Sequence, residues 1–365
     1  MVKNCYIHIP FCNKICSYCD FCKEYYQKKK VSKYLEDLKQ EIKKTYKGEK
    51  LETIYIGGGT PTCLDIEELE ELLQIVDSFH KKENIEFTIE ANIESITAEK
   101  LELLKKHKVN RISIGLESMN QDNLLFLNRN HTKEEVEEKI KKLRQMGFSN
   151  INLDLIYAIP KESNEVLIED LKFITSLKVE HISTYSLMIE PHTILEIQHT
   201  SPISEEQDEE MYEIITSFLK EKGYIHYEIS NFSKPGYESK HNLCYWKNKE
   251  YYGFGLGASS HIDGIRKTNT RSLTNYEKGN VLEQEELDEE DIIEYEIILN
   301  LRLLEGIDLK EFEKKYHHSL KEDYNYQDLV EQGLLIDENN HVKIPEKLLY
   351  VSNEIIVKFL QTKKV

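Results

Sequence analysis

The stretch NCYIHIPFCNKICSYCDFC, residues 4–22, decides how the rest of the chain is read. Its first part, NCYIHIP, is an apolar run of strand length that stops at Pro10. Just beyond it, Cys12, Cys16 and Cys19 follow one another with the spacing C-x3-C-x2-C. Thiolates are soft ligands that suit iron–sulfur clusters and zinc. Three of them on a four-iron cluster leave one iron without a protein ligand, open to a small chelating molecule. A structural zinc site needs four ligands, and Cys22 can supply the fourth. These cysteines alone therefore leave both chemistries open. Five of the seven cysteines lie within the first 22 residues, with only Cys63 and Cys244 elsewhere. An odd count crowded into one segment reads as a metal site rather than a disulfide framework.

Outward from this stretch, apolar runs of strand length alternate with amphipathic ones. NCYIHIP, TIYIGGG, IEFTIEAN, RISIGLES, INLDLIYAIP and HISTYSLMI read as strands. Residues 31–46, 65–79, 97–107 and 164–177 read as helices, the third with Thr97 as N-cap. Two helical pieces between the fourth and fifth strands stop at Gly147. The continuous apolar strands predict a parallel sheet buried on both faces. The fold class is thus α/β, a partial (β/α)6 barrel, whose functional groups belong at the C-terminal strand ends. The cysteines follow strand one there, and Gly57, Gly58, Gly59 and Thr60 follow strand two. Glu90 ends strand three, Glu117 ends strand four, and Asp154 lies in strand five. Glycines let the backbone approach a ligand, and its exposed N–H and C=O groups can bind an amine and a carboxylate. GGGTP alone is also an ordinary strand–helix turn; beside the cysteines it points to a ligand.

After Pro191 the pattern changes. Residues 205–222 read as a helix, and a Gly- and aromatic-rich region runs from 224 to about 261. From residue 288 short helices dominate, and LLIDENNHVKIP reads as a hairpin turning at Asn339–Asn340. This predicts a smaller, mainly helical, winged-helix-like C-terminal domain without a basic recognition helix. The expected division is a barrel at 1–200, an extension at 201–285 and the C-terminal domain at 286–365. The net charge of −18 repels a phosphate backbone and argues against nucleic acid as a partner. No apolar run reaches membrane-spanning length, so membrane contact is expected to be peripheral at most. No signal peptide is read at the start, and the expected location is the cytoplasm.

YIHIPFCNKICSYCDF, with GGGTP, TIEAN, RISIGLES, LNRNH and NLDLIYAIP, resembles the radical SAM superfamily over almost the whole chain. The likeness is to its oxygen-independent coproporphyrinogen oxidase-like branch. It implies a [4Fe–4S] cluster on Cys12, Cys16 and Cys19, with S-adenosylmethionine (SAM) at the open iron. It implies that Tyr6 contacts SAM near the cluster and that Tyr18 takes the aromatic position between the second and third cysteines. It also implies that Glu90, Glu117, Arg129 and Asp154 hold the ribose, adenine side and methionine part of SAM. For Arg129 and Asp154 the rival reading is an ion pair at the barrel mouth. Two positions depart from the family pattern: Glu117 is more often Gln, and Ala158 more often Gly. Ionised Glu only accepts hydrogen bonds, whereas Gln also donates. The branch's enzymes usually place a further cysteine where this chain has Phe21; here it comes one residue later, at Cys22.

HNLCYW, residues 241–246, matches an H-N-x-x-Y-W signature of the branch's heme chaperones. The match implies heme contact: His241 can ligate iron, and Tyr245 and Trp246 can stack on a porphyrin face. The rival reading is a core histidine packed among aromatics. The first function implied is a heme chaperone that passes heme to apo-proteins such as cytochromes, with an electron donor for its cluster. The second is oxygen-independent oxidative decarboxylation of coproporphyrinogen III. A zinc-stabilised interaction protein is a third, disfavoured by GGGTP and the series from Glu90 to Asp154.

Overall fold

Alternation along the strands shapes this protein. The computed structural model describes residues 1–364. Six strands run parallel, each hydrogen-bonded to the one before: β1 (Asn4–Ile9), β2 (Leu51–Gly58), β3 (Lys81–Asn92), β4 (Arg111–Glu117), β5 (Ile151–Tyr157) and β6 (His181–Ser186). Helices α1 (Lys28–Thr45), α2 (Ile66–Asp77), α3 (Ala98–Lys106), α4 (Gln121–Phe126), α5 (Lys133–Gln145) and α6 (Asn164–Ser176) connect them. Ile54, Ile56, Phe87, Ile89, Ile112, Ile114, Leu153 and Leu155 share one buried core with the helix residues Leu35, Leu38, Leu72, Val136 and Leu171. Each such side chain contributes about 1.5–3 kcal/mol by leaving water. Cutting Leu38 back to Ala would cost about 2–5 kcal/mol.

The helix ends use local polar partners. Asp65 and Glu68 form a reciprocal capping box on α2, and Thr132 and Glu135 form another on α5. The Thr97 side chain accepts from the Lys100 N–H, as its position predicts. Gly147, just past α5, has φ +80, which a non-glycine residue adopts only with strain.

The second face of the sheet corrects the sequence reading. Thr53, Tyr55, Glu86, Thr88, Glu90, Arg111, Ser113, Asn152, Asp154, His181 and Ser183 occupy the alternate positions of β2–β6. The sheet is apolar toward the helices and polar toward the barrel interior. The reason is the period of two along a strand: a wall curved around a cavity presents every second residue to it.

Two segments lead from β6 into the Gly- and aromatic-rich region, α7 (Ile194–Ile197) and α8 (Glu205–Glu221). That region then adds strands to both edges of the barrel sheet. β7 (Ile225–Glu228) and β8 (Asn231–Ser233) extend it antiparallel beyond β6. After α9 (Lys240–Trp246), β9 (Tyr251–Phe254) pairs parallel with β1. β10 (Ser259–Ile262), β11 (Ile265–Asn269) and β12 (Val281–Glu286) continue antiparallel. The order is β12-β11-β10-β9-β1-β2-β3-β4-β5-β6-β8-β7.

The C-terminal region is mainly helical, as expected, and has its own core around Ile297, Phe312, Leu329, Val342 and Phe359. A small antiparallel sheet of β13 (Ile307–Asp308), β14 (Ile336–Glu338) and β15 (His341–Lys343) completes it. The β14–β15 hairpin turns at Asn339 and Asn340, with φ +50 and +67. Two consecutive positive values are what a tight hairpin turn demands, and Asn tolerates them. Among the described residues no helix is long and apolar enough to cross a membrane.

Candidate functional site

The C-terminal ends of the barrel strands and the cysteine loop enclose a cavity of about 410 Å³. Cys12, Cys16, Tyr18, Cys19, Gly58, Gly59, Thr60, Glu90, Glu117, Arg129 and Asp154 all line it. The cysteine loop is tied down on several sides. Phe11–Cys12 pairs with Glu24–Tyr25, Ser17 Oγ donates to the Phe126 carbonyl at 2.6 Å, and Asn128 Nδ2 donates to the Ile15 carbonyl at 2.7 Å.

The three thiols face one cavity without meeting at one point. Among the described residues no three His, Cys, Asp or Glu side chains converge closely enough to hold a single metal ion. Zinc needs such convergence, whereas the separate irons of a cluster do not. Cys22, the possible fourth zinc ligand, points away, with Sγ 3.7 Å from the Arg271 carbonyl. Burial pushes the Cys12 thiol up to about 12 and raises Cys16 and Cys19 as well. Iron bound there lowers them again, because a ligating thiol loses its proton. The donor set fits a cluster held by three cysteines.

The glycine turn is shaped by contact. A Cβ on Gly59 would lie 2.7 Å from the Phe11 carbonyl oxygen and 2.8 Å from Cys12 Sγ, so only glycine lets the end of β2 pass the cysteine loop. Gly57 packs on Glu90: a Cβ there would lie 2.9 Å from Glu90 Cδ. The Gly58 N–H donates to Glu90 Oε2 at 3.0 Å, and the Tyr55 hydroxyl donates to Oε1 at 2.8 Å. Thr60 Oγ1 accepts from Asn92 Nδ2 at 3.0 Å. Burial, opposed by these two bonds, raises the Glu90 carboxyl to about 7. Asp154 accepts from Asn152 Nδ2 at 2.8 Å and is raised to about 7 by burial and then by the carboxylates of Glu117 and Glu90.

The ion pair at the mouth is Arg129 with Glu117, not Arg129 with Asp154. Arg129 Nη2 lies 2.7 Å from Glu117 Oε1, which also accepts from the Tyr18 hydroxyl at 2.8 Å. Arg129 lines the cavity, its Nε buried without a hydrogen-bond partner, so its guanidinium charge faces a ligand carboxylate there. Buried acceptors, a glycine turn and this guanidinium fit SAM's hydroxyls, amine and carboxylate. Glu117 and Ala158 have φ +68 and +62. The left-handed region costs a residue with a Cβ about 1–2 kcal/mol, so glycine would fit position 158 with less strain.

Of the heme signature, His241, Tyr245 and Trp246 lie outside this cavity, while Asn242 lines it. α9 enters the barrel beside β2 and β3, where Glu86 accepts from the N–H groups of Lys240 and His241 at 3.0 and 2.9 Å. His241 is only 1% exposed, its ring stacked on Tyr55 with centroids 5.2 Å apart. Nδ1 is 2.8 Å from Thr53 Oγ1, whose own proton goes to Asn4 Oδ1. Nδ1 therefore carries the ring proton, and Nε2 accepts from the Tyr245 hydroxyl at 2.7 Å. Burial lowers the ring to about 3, so it is neutral. This corrects the expectation of a ready imidazole: His241 sits as a packed core histidine, because three aromatic side chains close around it. Tyr6 also misses the cysteine cavity; its hydroxyl bonds His8 Nδ1 at 2.9 Å. Tyr6 and Tyr245 line a second hollow of about 420 Å³ with Tyr251, Arg271 and Leu282. Asp20 and Phe21 border both spaces. Trp246 is half-buried, its carbonyl accepting from Asn300 Nδ2 at 3.2 Å.

Residues 6–174 match the Radical SAM superfamily, and residues 287–347 match the HemN C-terminal domain. A relative from Lactococcus lactis, named heme chaperone HemW, is 38% identical over 98% of this chain and 97% of its own length. One of the same name from Bacillus subtilis is 40% identical over 98% and 99%. The chain belongs to the radical SAM superfamily and, within it, to the HemW family. The structure of coproporphyrinogen III oxidase (HemN) from Escherichia coli superposes with a TM-score of 0.85, covering 98% of this chain and 90% of that one. At 24% identity this likeness shows the shared fold.

Sequence reasoning passed over Tyr55, Arg111, Asn152, Ser183, Tyr185 and Asn242, which line the same cavity. The signal was present: five of the six are polar interruptions of apolar strands, on the same alternate face as Glu90 and Asp154. Asn242 belongs to the H-N-x-x-Y-W match but carried no strand signal, and its place in the cavity depends on where α9 enters the barrel.

Proposed function

We propose that this chain is a heme chaperone of the radical SAM type, binding a [4Fe–4S] cluster, SAM and heme and passing heme to acceptor apo-proteins such as cytochromes. The observation that carries the reading is the meeting of three thiols, a glycine turn and two buried carboxyls in one cavity, in a chain whose relatives along its full length are named heme chaperones. Residues 1–200 would carry the cluster and SAM, 201–285 the heme segment and 286–365 the C-terminal domain. Cys12, Cys16 and Cys19 hold the cluster, with an electron donor as a further partner. Glu90 and Asp154 accept hydrogen bonds from SAM, Gly58–Thr60 bring backbone against it, and Arg129 offers its charge to the carboxylate. A cluster bound there supplies one-electron chemistry at the SAM sulfonium. Heme falls to the segment of His241, Tyr245 and Trp246, and His241 ligates iron only by giving up the hydrogen bond its Nε2 accepts from Tyr245. The cytoplasm is the matching location.

Anaerobic reconstitution, followed by heme titration and a coproporphyrinogen III assay on the same sample, tests this. Iron, SAM and heme binding without decarboxylation is the expected result. Robust SAM-dependent decarboxylation would make the chain an oxidase instead.

A further inference from the structure

Arg111 is the largest fully buried side chain of the protein, 1% exposed, on the inner face of β4. It borders the cavity of about 410 Å³. Its Nε has no hydrogen-bond partner, and among the described residues no carboxylate oxygen lies within 4.0 Å of the guanidinium. Arg129 and Arg144, by contrast, each have a carboxylate partner, Glu117 and Glu180. In register beside Arg111 on β3 stands Thr88, fully buried, with Oγ1 also unpartnered. A guanidinium does not shed its proton, so burial cannot neutralise it. A buried cation without a directly paired anion is unfavourable, and a ligand anion in the cavity supplies that partner.

The carboxyls around it direct their hydrogen bonds elsewhere, and Arg111 meets Glu90 only through space, where it lowers that carboxyl. Glu86 holds the N-terminus of α9, Glu90 takes Tyr55 and Gly58, and Asp154 takes Asn152. His181, between Asn152 and Tyr227, is neutral. The cavity wall near Arg111 carries the small polar groups of Ser113, Asn152 and Ser183. Arg111 is six residues before Glu117, about 20 Å along the strand, well removed from the mouth where SAM's carboxylate has Arg129.

We infer that the inner end of the barrel cavity is a carboxylate subsite, in which Arg111 takes the anionic arm of a second ligand lying deeper than SAM. The inference rests on the reading above only for SAM at the mouth. The carboxylate belongs to heme, which carries two propionates, or to a separate small carboxylic acid.

The test uses the full chain loaded with cluster and SAM, melted in sodium propionate and, separately, in propionamide, which has the same shape without the charge. Propionate raises the melting temperature of the wild type and propionamide does not. Arg111→Gln abolishes the difference, and Arg111→Lys keeps part of it. The SAM-induced change in the reduced cluster's EPR spectrum survives in both variants. Equal effects of propionate and propionamide on the wild type overturn the subsite, as does a propionate effect that persists in Arg111→Gln. If Arg111→Gln fails to fold, the wild-type comparison and Arg111→Lys still decide. Heme and heme dimethyl ester then separate the sources. A roughly tenfold affinity loss on esterification, absent in Arg111→Gln, assigns the subsite to heme. A propionate effect with equal heme and ester affinities assigns it to a separate acid. A propionate effect with no heme binding at all supports the subsite while the chaperone reading fails.

Discussion

Tyr245 donates its hydroxyl proton to His241 Nε2 across 2.7 Å, one helical turn away on α9. The lone pair that would ligate iron is therefore occupied within the protein itself. Tyr245→Phe frees it at a cost of about 1 kcal/mol in stability. If His241 ligates heme iron, Tyr245→Phe binds heme more tightly than the wild type, and His241→Ala shifts the Soret band. Because burial holds the ring at about 3, this binding shows no step near the ordinary histidine range. Identical titrations for the wild type and both variants would remove His241 from the heme site.

Iron content separates the cysteines by where they point. Cys12, Cys16 and Cys19 line the cavity; Cys63 Sγ contacts the Phe11 carbonyl at 3.2 Å, Cys22 faces Arg271, and Cys244 is buried in α9. Anaerobically reconstituted protein should hold about four irons per chain. Alanine at position 12, 16 or 19 should abolish that content, while alanine at 22, 63 or 244 should preserve it. Equimolar zinc in place of iron would bring back the interaction-protein reading.

Glu90 and Asp154, both raised to about 7, make SAM binding pH-dependent. Each accepts hydrogen bonds from SAM best when ionised, so the affinity of the cluster-loaded protein should rise from about pH 6 to about pH 8, with protons released on binding. The sign for stability is opposite. A carboxyl raised in the folded state binds its proton there more tightly than when unfolded. Its stabilisation is full below the usual carboxyl range and is lost as pH rises through about 7. Protein without SAM should therefore lose this contribution between about pH 4 and about 7, most of it before SAM binding reaches its full strength. Calorimetry at several pH values reads both; a flat SAM affinity, or one unchanged in Glu90→Gln, would exclude Glu90 from the site.

The Arg129–Glu117 pair predicts opposite outcomes for two substitutions. Both residues are buried, so Glu117→Ala leaves a buried guanidinium without its counter-charge and costs about 3–5 kcal/mol. Glu117→Gln still accepts from Arg129 and Tyr18 but releases the charge of Arg129 for SAM's carboxylate. It should lose less stability than Glu117→Ala but still melt below the wild type, and it should bind SAM several-fold more tightly. Weaker SAM binding in Glu117→Gln would mean that the carboxylate itself serves the ligand.

Much of the site is legible in the sequence because its parts are tied to short local patterns. The spacing of Cys12, Cys16 and Cys19, the GGGT turn, and Glu90 at the end of IEFTIEAN each need only one strand and the turn after it. Six apolar runs alternating with amphipathic helices suffice to order the parallel sheet, and Asn339–Asn340 locate the last hairpin. β7 to β12 escaped notice: β7 to β10 are three or four residues long, too short for a period to show, and all six form by pairing with edges already present.

Tertiary structure decided what depends on distant residues meeting. Only closure of the barrel sets Glu117, rather than Asp154, against Arg129, and only the turn after Cys19 aims Cys22 at Arg271 instead of the cavity. Burial of α9 between Thr53, Tyr55 and Glu86 converts His241 from an available ligand into a core residue. The sequence by itself determined which residues are polar at alternate strand positions. Whether Arg111 finds a carboxylate depends on side chains from three other strands and a helix, because a charge is neutralised through space, not along the chain.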